Sequence, residues 1–328
     1  MFKKISKLMV TVMGIALLAG CGQKEQTPAA FKPASQLDWI VTSSAGGGSD
    51  IFTRKITDIM TKDKIVEGVT FVVNNKTDGN GEVGRNEVAN LKGDKANNTL
   101  LTFNSGDLMP MVQNTANRSG NFQIIAIMAV DKQLLFKGKA SKYATFKDAI
   151  DAAKAGTPVI IGGSKGDDIA TYEAMIAEIG LSKDVMKYIT YNSTSEAITA
   201  ILGGHVDLVM SKPAAASEYV NSGDLTAILA LSEKRYEGNL KDAPTLSEVG
   251  SYKNVEVPVW RGVAAPKSMS ADAVKYYTEA LKKVSDSATW KTEYIDIYKL
   301  ISDYKNSTDA TTFVKQFESE FMASKGIK

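Results

Sequence analysis

Two residue types on which much protein chemistry depends are almost missing from this chain. It has one histidine, His205, and one cysteine, Cys21, in 328 residues. A lone cysteine excludes an internal disulfide framework, and a lone histidine leaves no His/Cys cluster at metal-ligand spacing. No Gly-x-Ser-x-Gly nucleophile motif is present. His205 sits in L-G-G-H-V-D-L-V, the turn before a strand pattern, and reads as a solvent-facing turn residue rather than a general base. Asp167 and Asp168 are adjacent in sequence and need not face each other, so a paired-carboxylate glycosidase is unsupported. No catalytic residue, metal or cofactor is expected. Composition is otherwise ordinary for a globular protein, with 44% hydrophobic and 23% charged residues.

What is present begins with a basic start. M-F-K-K-I-S-K is followed by L-M-V-T-V-M-G-I-A-L-L-A-G, an apolar run too short to span a membrane comfortably. Residues 1–20 read as a secretory signal. The run ends in L-A-G-C, where small Ala19 and Gly20 admit a peptidase and the thiol of Cys21 can take a lipid, as in the lipobox of bacterial lipoproteins. Acyl chains at Cys21 would anchor the chain on the outer side of a membrane without a spanning helix. Loss of residues 1–20 removes three lysines and no acid, which leaves 36 basic against 37 acidic residues. A mature chain near charge −1 argues against nucleic acid as a partner. Residues 21–36, polar and carrying two prolines, read as a tether.

From Leu37 onward strand and helix patterns alternate. L-D-W-I-V, V-T-F-V-V, T-L-L-T-F and P-V-I-I-G-G read as strands. I-F-T-R-K-I-T-D-I-M places Phe52, Ile56, Ile59 and Met60 on one helical face. Thr145 reads as a helix N-cap and Gly156 as that helix's stop. The end of the chain, from Ala271, reads as two or three amphipathic helices. Such alternation predicts an α/β fold with helices on both faces of mostly parallel sheets. Two strand–glycine loop–helix units, at Trp39 and Val159, predict two lobes with a cleft between them. The expected division is 37–133 plus 230–328 for the first lobe and 134–229 for the second, with chain crossings near Leu134 and Ala230.

Loops at the carboxyl ends of parallel strands are where ligands bind in open sheets. The first is S-S-A-G-G-G-S-D, Ser43 to Asp50. Its glycines let backbone N–H groups approach a ligand, and the following helix start favours an anion. It lacks the Lys-Ser/Thr of a P-loop and the spacing of a dinucleotide loop. A plain helix start capped by Ser49 or Asp50 is the competing reading. The second is I-G-G-S-K-G-D-D, Ile161 to Asp168, in which one of Asp167 and Asp168 can cap the helix while the other is left unexplained. D-G-N-G-E-V-G, Asp78 to Gly84, reads as a helix-start turn. Trp260, beside Arg261, reads as core with cleft lining as the alternative.

In order along the chain, these motifs resemble the extracytoplasmic solute receptors of tripartite tricarboxylate transporters, the TctC or Bug family. The resemblance rests on I-V-T-S-S-A-G-G-G-S-D, N-N-K-T-D-G-N-G-E-V-G, T-L-L-T-F-N-S-G, I-I-G-G-S-K-G-D-D, L-G-G-H-V-D and A-P-T-L-S-E-V-G. It implies a periplasmic-binding-protein-like (type II-like) fold that closes on a small carboxylate-bearing ligand, acts as a monomer and delivers to membrane permease subunits. By position it implies ligand contacts from Ser43, Ser44, Ala45, Gly46, Gly47 and Asp50, with Asn104 and Ser105. From the second lobe it implies Gly163, Ser164, Lys165, Gly166, Asp167 and Asp168, with Tyr191, Asn192 and Ser193. The sequence departs from the family where Asp167 and Asp168 replace small residues. An acid facing the cleft would repel a second ligand carboxylate, so an amino acid or other nitrogen-bearing acid is expected over citrate-like tricarboxylates; Lys165 could reverse that balance. A sensory receptor with the same cleft, and an α/β enzyme acting on a small acid, are the alternatives.

Overall fold

A computed structural model describes residues 31–327. The expected signal, Cys21 and most of the expected tether lie outside the described residues. The tether's last residues belong to the fold: Phe31 packs edge-on against Tyr276 at 5.6 Å, and Ala34 donates its N–H to Asn98 at 2.7 Å.

Among the described residues eleven strands form two sheets. The first is ordered β11-β4-β10-β3-β1-β2, with β1 Gln36–Val41, β2 Thr70–Asn75, β3 Thr99–Asn104, β4 Phe122–Asp131, β10 Val259–Pro266 and β11 Ile301–Lys305. The second is ordered β7-β6-β8-β5-β9, with β5 Gln133–Gly138, β6 Val159–Ser164, β7 Met186–Tyr191, β8 Leu208–Ser211 and β9 Leu225–Leu231. Each sheet is mixed: β1, β2 and β3 run parallel, as do β6, β7 and β8, while β5, β9 and β10 are paired antiparallel. The reason lies in the crossings. Only Lys132 separates β4 from β5, so the strand that arrives at the hinge in one lobe leaves it in the other. A strand leaving the hinge must oppose the strands whose carboxyl ends point at it.

The period-two pattern of β1 decides how the first sheet is covered. Leu37, Trp39 and Val41 face a core that also takes Phe52, Ile56, Ile59 and Met60 from the helix Gly48–Lys62. Ile40 faces the opposite core, with Phe103, Trp260 and Val314 of the helix Ser307–Ser324. Each such fully buried aliphatic side chain contributes about 1.5–3 kcal/mol. The second sheet has its own two cores, around Tyr172 and Met210 on one face and Phe136 and Ile198 on the other. The C-terminal helices from Ala271 return to the first sheet, as expected, with strand β11 between them, which the apolar pattern did not reveal. Thr145 caps its helix, accepting from Asp148 N–H at 3.3 Å.

The expected lobe boundary at Ala230 falls too early. Residues 232–258 pack on the second lobe, with Leu246 in one of its cores and Tyr236, Leu240 and Ala243 in the other. The ion pair Lys132–Glu256, at 2.9 Å, ties the two crossings together. Among the described residues no helix is long and apolar enough to cross a membrane.

Candidate functional site

The carboxyl ends of β1, β3, β6, β7 and β8 each lead to a helix, and the first residues of all five helices line one cavity. Gly48 and Ser49 open the helix Gly48–Lys62, and Gly106 and Asp107 lie in the first turn of Ser105–Asn114. From the second lobe come Asp167 of Asp167–Ile179, Thr194 of Thr194–Leu202, and Lys212, the N-cap of Pro213–Ser222. Five helix N-termini aimed at one space favour an anion there, each by about 0.3–1 kcal/mol. The cavity is small, ≈ 50 Å³.

The two lobes touch across it. Ser195 donates to the Ala45 carbonyl at 3.1 Å, and Ser44 donates to Glu196. Gly166 (φ +69°) lies against Gly106, so that a Cβ on it would overlap the Gly106 carbonyl oxygen. A Cβ on Gly106 would in turn overlap Asp167 Oδ1. Gly166 has no room for a side chain because it passes against the Gly106 backbone of the other lobe, and Gly106 has none because the paired, buried Asp167 carboxylate lies against it. Gly106→Ala is therefore expected to hold the lobes apart while leaving each lobe's own packing intact. Calorimetry should show at least a tenfold loss of affinity (about 1.4 kcal/mol) with a nearly unchanged thermal midpoint; undiminished affinity would refute it.

Five charged side chains reach the cavity wall, and four are matched. Asp107 accepts from Thr42, from Asn104 N–H at 3.1 Å and from Arg85 at 3.3 Å. Arg261 pairs with fully buried Asp131 at 2.5 Å. Lys212 pairs with Asp167 at 2.5 Å and also with Asp168. Burial alone would lower the Lys212 ammonium's pKa, but the two carboxylates more than offset that and hold it charged. Two acids share one ammonium, and burial pushes Asp167 up to about 6. Its Oδ2 takes Lys212 and Gln133, while Oδ1 has no hydrogen-bond partner among the described residues. The fifth charge is Lys165. It is 7% exposed, and its Nζ has no hydrogen-bond partner among the described residues. Burial lowers its pKa.

Of the residues expected at the site, Ser43, Asn104, Ser164, Lys165, Asp167, Asn192 and Ser193 line the cavity. The others lie beside it in supporting positions. Ser44, Ala45 and Gly46 form the rim, and Gly47 is pressed against Ser193, where a Cβ would come within 3.2 Å. Asp50 turns away: it accepts from Gly46 N–H at 2.9 Å, from Arg54 at 2.9 Å and from Asn75 at 3.1 Å. Burial would raise its pKa, but these donors hold it below the ordinary carboxylate value. Neither Ser49 nor Asp50 caps the first helix; Gly47 occupies that position. Asp168 is fully buried; one oxygen accepts from Ser164 N–H and Oγ, both at 2.7 Å, and the other is taken by Lys212. Ser105 is fully buried, Gly163 lies under the Tyr188 hydroxyl, and the Tyr191 ring packs on Gly162. None of these touches the cavity.

The sequence reading missed Thr42, Gly48, Ser49, Gly106, Asp107, Thr194, Lys212 and Val259. Lys212 carried a signal, since M-S-K-P ends a strand and proline favours the first helical turn. Trp260 belongs to the core, packed against Phe103, Phe313 and Phe317. Its neighbour Arg261 alternates to the other side of β10 and reaches the cavity, where its Nη2 lies 2.9 Å from the Cβ position of Gly48. The third glycine of the opening loop thus makes room for an arginine. His205 is exposed at the α/β turn before β8.

Two α/β lobes, joined by two crossings and closed over a polar cavity at their strands' carboxyl ends, define a solute-binding receptor. The chain belongs to the tripartite tricarboxylate transporter family receptors, whose family model matches residues 52–319. It is similar to the UPF0065 protein of the TAR-I ttuE-ttuC' intergenic region of Agrobacterium vitis, at 24% identity over 76% of this chain and 71% of that one. Among solved structures it is similar to the periplasmic binding protein BugD, with a TM-score of 0.77 and 21% identity over 89% of this chain and 98% of that one. It is similar too to MatC from Rhodopseudomonas palustris with bound malate, with a TM-score of 0.74 and 18% identity over 88% and 97%.

Proposed function

We propose that this receptor captures a small organic acid outside the cytoplasmic membrane, seats the acid's carboxylate on Lys165, and hands it to a permease of the tripartite tricarboxylate type. The observation that carries this is the Lys165 ammonium, buried at the convergence of five helix N-termini with no partner of its own among the described residues. A buried cation without an anion is costly, and a ligand carboxylate is the group that relieves the cost. The malate bound to MatC supports the same class of ligand.

Asp167 refines the class. Its repulsion of a second carboxylate is reduced by Lys212, which it shares with Asp168, so the expected repulsion of dicarboxylates is weaker than the bare sequence implied. Its Oδ1 nonetheless remains an acceptor beside the cavity. The ligand we favour is therefore a short acid bearing an amino or hydroxyl donor, held by Lys165 at one end and Asp167 at the other. A space of ≈ 50 Å³ suits a short ligand, since one water needs about 10–15 Å³ by the same measure. Titration calorimetry with malate, citrate, adipate and a panel of small amino acids tests this. Tight binding of citrate or adipate, with none of the donor-bearing short acids, would overturn it.

A lipid anchor at Cys21 after removal of residues 1–20 remains part of this proposal, resting on Leu18 to Cys21 alone. Intact-mass analysis of the membrane-extracted protein reads both the acyl chains and any co-purified acid. A mass without acyl chains would remove the anchor and leave the receptor reading untouched.

A further inference from the structure

The turn Asp78 to Gly84 contributes no residue to the cavity wall. It is joined to the cavity through Arg85, in the helix Glu82–Asn90. Arg85 is 1% exposed, and its guanidinium is taken by three partners. Nε donates to Glu82 at 3.0 Å, Nη2 to the Asn80 carbonyl at 2.9 Å, and Nη1 to the cavity acid Asp107 at 3.3 Å. Gly81 (φ +81°) leaves the way open: a Cβ there would overlap Thr42 and come within 3.0 Å of Nη1.

Asp107 is fully engaged in turn. Oδ1 takes the Thr42 hydroxyl and Arg85, and Oδ2 takes Asn104 N–H at 3.1 Å. Yet it shares a cavity of ≈ 50 Å³ with the unpartnered Lys165 ammonium. The two loops meet there, with the Lys165 carbonyl oxygen 4.0 Å from the Cβ position of Gly106, the residue before Asp107. Burial lowers the ammonium's pKa, and of the charges around it Asp107 opposes that most and Glu196 less, while Arg85 adds to it. Glu196 is also occupied, by Ser44 of the other lobe and by Asn192 N–H at 3.2 Å. Both acids near Lys165 are thus held by other donors. A charged pair outweighs a hydrogen bond to a neutral donor, so an Asp107 released from Arg85 turns to Lys165.

We propose that Arg85 is a positioning residue for the ligand seat: it holds Asp107 beside Thr42 and Asn104, so that Asp107 does not neutralise Lys165. The Asp107–Lys165 pair that it prevents would span the two lobes and occupy the place of the ligand's carboxylate. This role presupposes Lys165 as that carboxylate's seat.

The decisive measurement needs no ligand. Lysine-labelled full mature chain is titrated by NMR, with the Lys165 ammonium identified by its loss in Lys165→Met. Its midpoint should move up by about one pH unit or more in Arg85→Met. It should move less in Thr42→Val, which removes one donor from Asp107 at almost constant volume. Adding Asp107→Asn to either variant should bring the midpoint back, because an amide cannot neutralise the ammonium. Should Arg85→Met not fold, Thr42→Val with and without Asp107→Asn carries the test. A Lys165 midpoint unmoved in the variants that fold, or one that stays high after Asp107→Asn, would overturn the proposal. Calorimetry with malate as probe reads the consequence: about tenfold weaker binding in Arg85→Met, recovered on adding Asp107→Asn. A merely structural arginine would give a loss that Asp107→Asn does not repair. Malate affinity untouched by Lys165→Met would instead overturn the seat reading, while the lysine titration still decides whether Arg85 restrains Asp107.

Discussion

Lys165→Met is expected to weaken the cleft ligand by about a hundredfold or more while making the ligand-free protein more stable. The two effects have one cause. Lys165 is buried with no partner for its ammonium among the described residues, so in the free protein it carries an unrelieved desolvation cost. Methionine fills a similar volume without that cost, which should raise the free protein's stability by about 1–3 kcal/mol. With ligand present the balance inverts: a carboxylate brought into the closed cleft would find helix N-termini, and cations, Lys212 and Arg261, that are already paired with Asp167, Asp168 and Asp131. Removing one partner of a buried pair costs about 3–5 kcal/mol, which is upward of a hundredfold in affinity. Chemical denaturation and calorimetry on the same variant separate the two. A variant less stable than the parent, with affinity retained, would show that Lys165 is a structural side chain and that the carboxylate sits elsewhere. Lys165→Arg does not rescue, because the longer fork has no room in a cavity of ≈ 50 Å³.

The opposite signs also say why the residue was hard to weigh from sequence. In I-G-G-S-K-G-D-D a lysine next to two aspartates looks as though it should pair with them, and local spacing gives no reason to think otherwise. The pairing instead comes from Lys212, forty-four residues on, placed by β8 at the same end of the sheet. Periodicity reported the strands of both lobes, the helix faces such as Phe52–Met60, and the glycine loops at strand ends, because each is a local pattern. It did not report which polar side chains meet across lobes. Asp50 looked like a cleft acid and is a loop brace; Gly48, not expected to contact a ligand, lines the cavity and gives clearance to Arg261. The missed lobe boundary has the same origin. Nothing in the pattern of residues 232–258, which is short on regular structure, says which lobe will take Leu246.

The pair of aspartates on which the sequence argument turned is also where the largest stability effect is expected. Lys212→Met leaves Asp167 and Asp168, 4% and 0% exposed, without their shared cation. Gln133 still donates to Asp167 and Ser164 to Asp168, but two adjacent buried acids are then left without a countercharge. The expected loss is about 3–5 kcal/mol, a large share of a typical domain's stability of about 5–15 kcal/mol. The second lobe should carry it, because both acids open its helix Asp167–Ile179. Denaturation followed in Lys212→Met alone and with Asp167→Asn and Asp168→Asn added distinguishes charge from packing. If the loss is electrostatic, the two substitutions restore most of it, since the side-chain amide of Asp168→Asn keeps an acceptor for Ser164 N–H and Oγ while the burial cost of the charge is gone. If the triple variant is as unstable as the single one, the loss does not come from unpaired carboxylates, and the fit of residue 212 at the N-terminus of Pro213–Ser222 sets it instead.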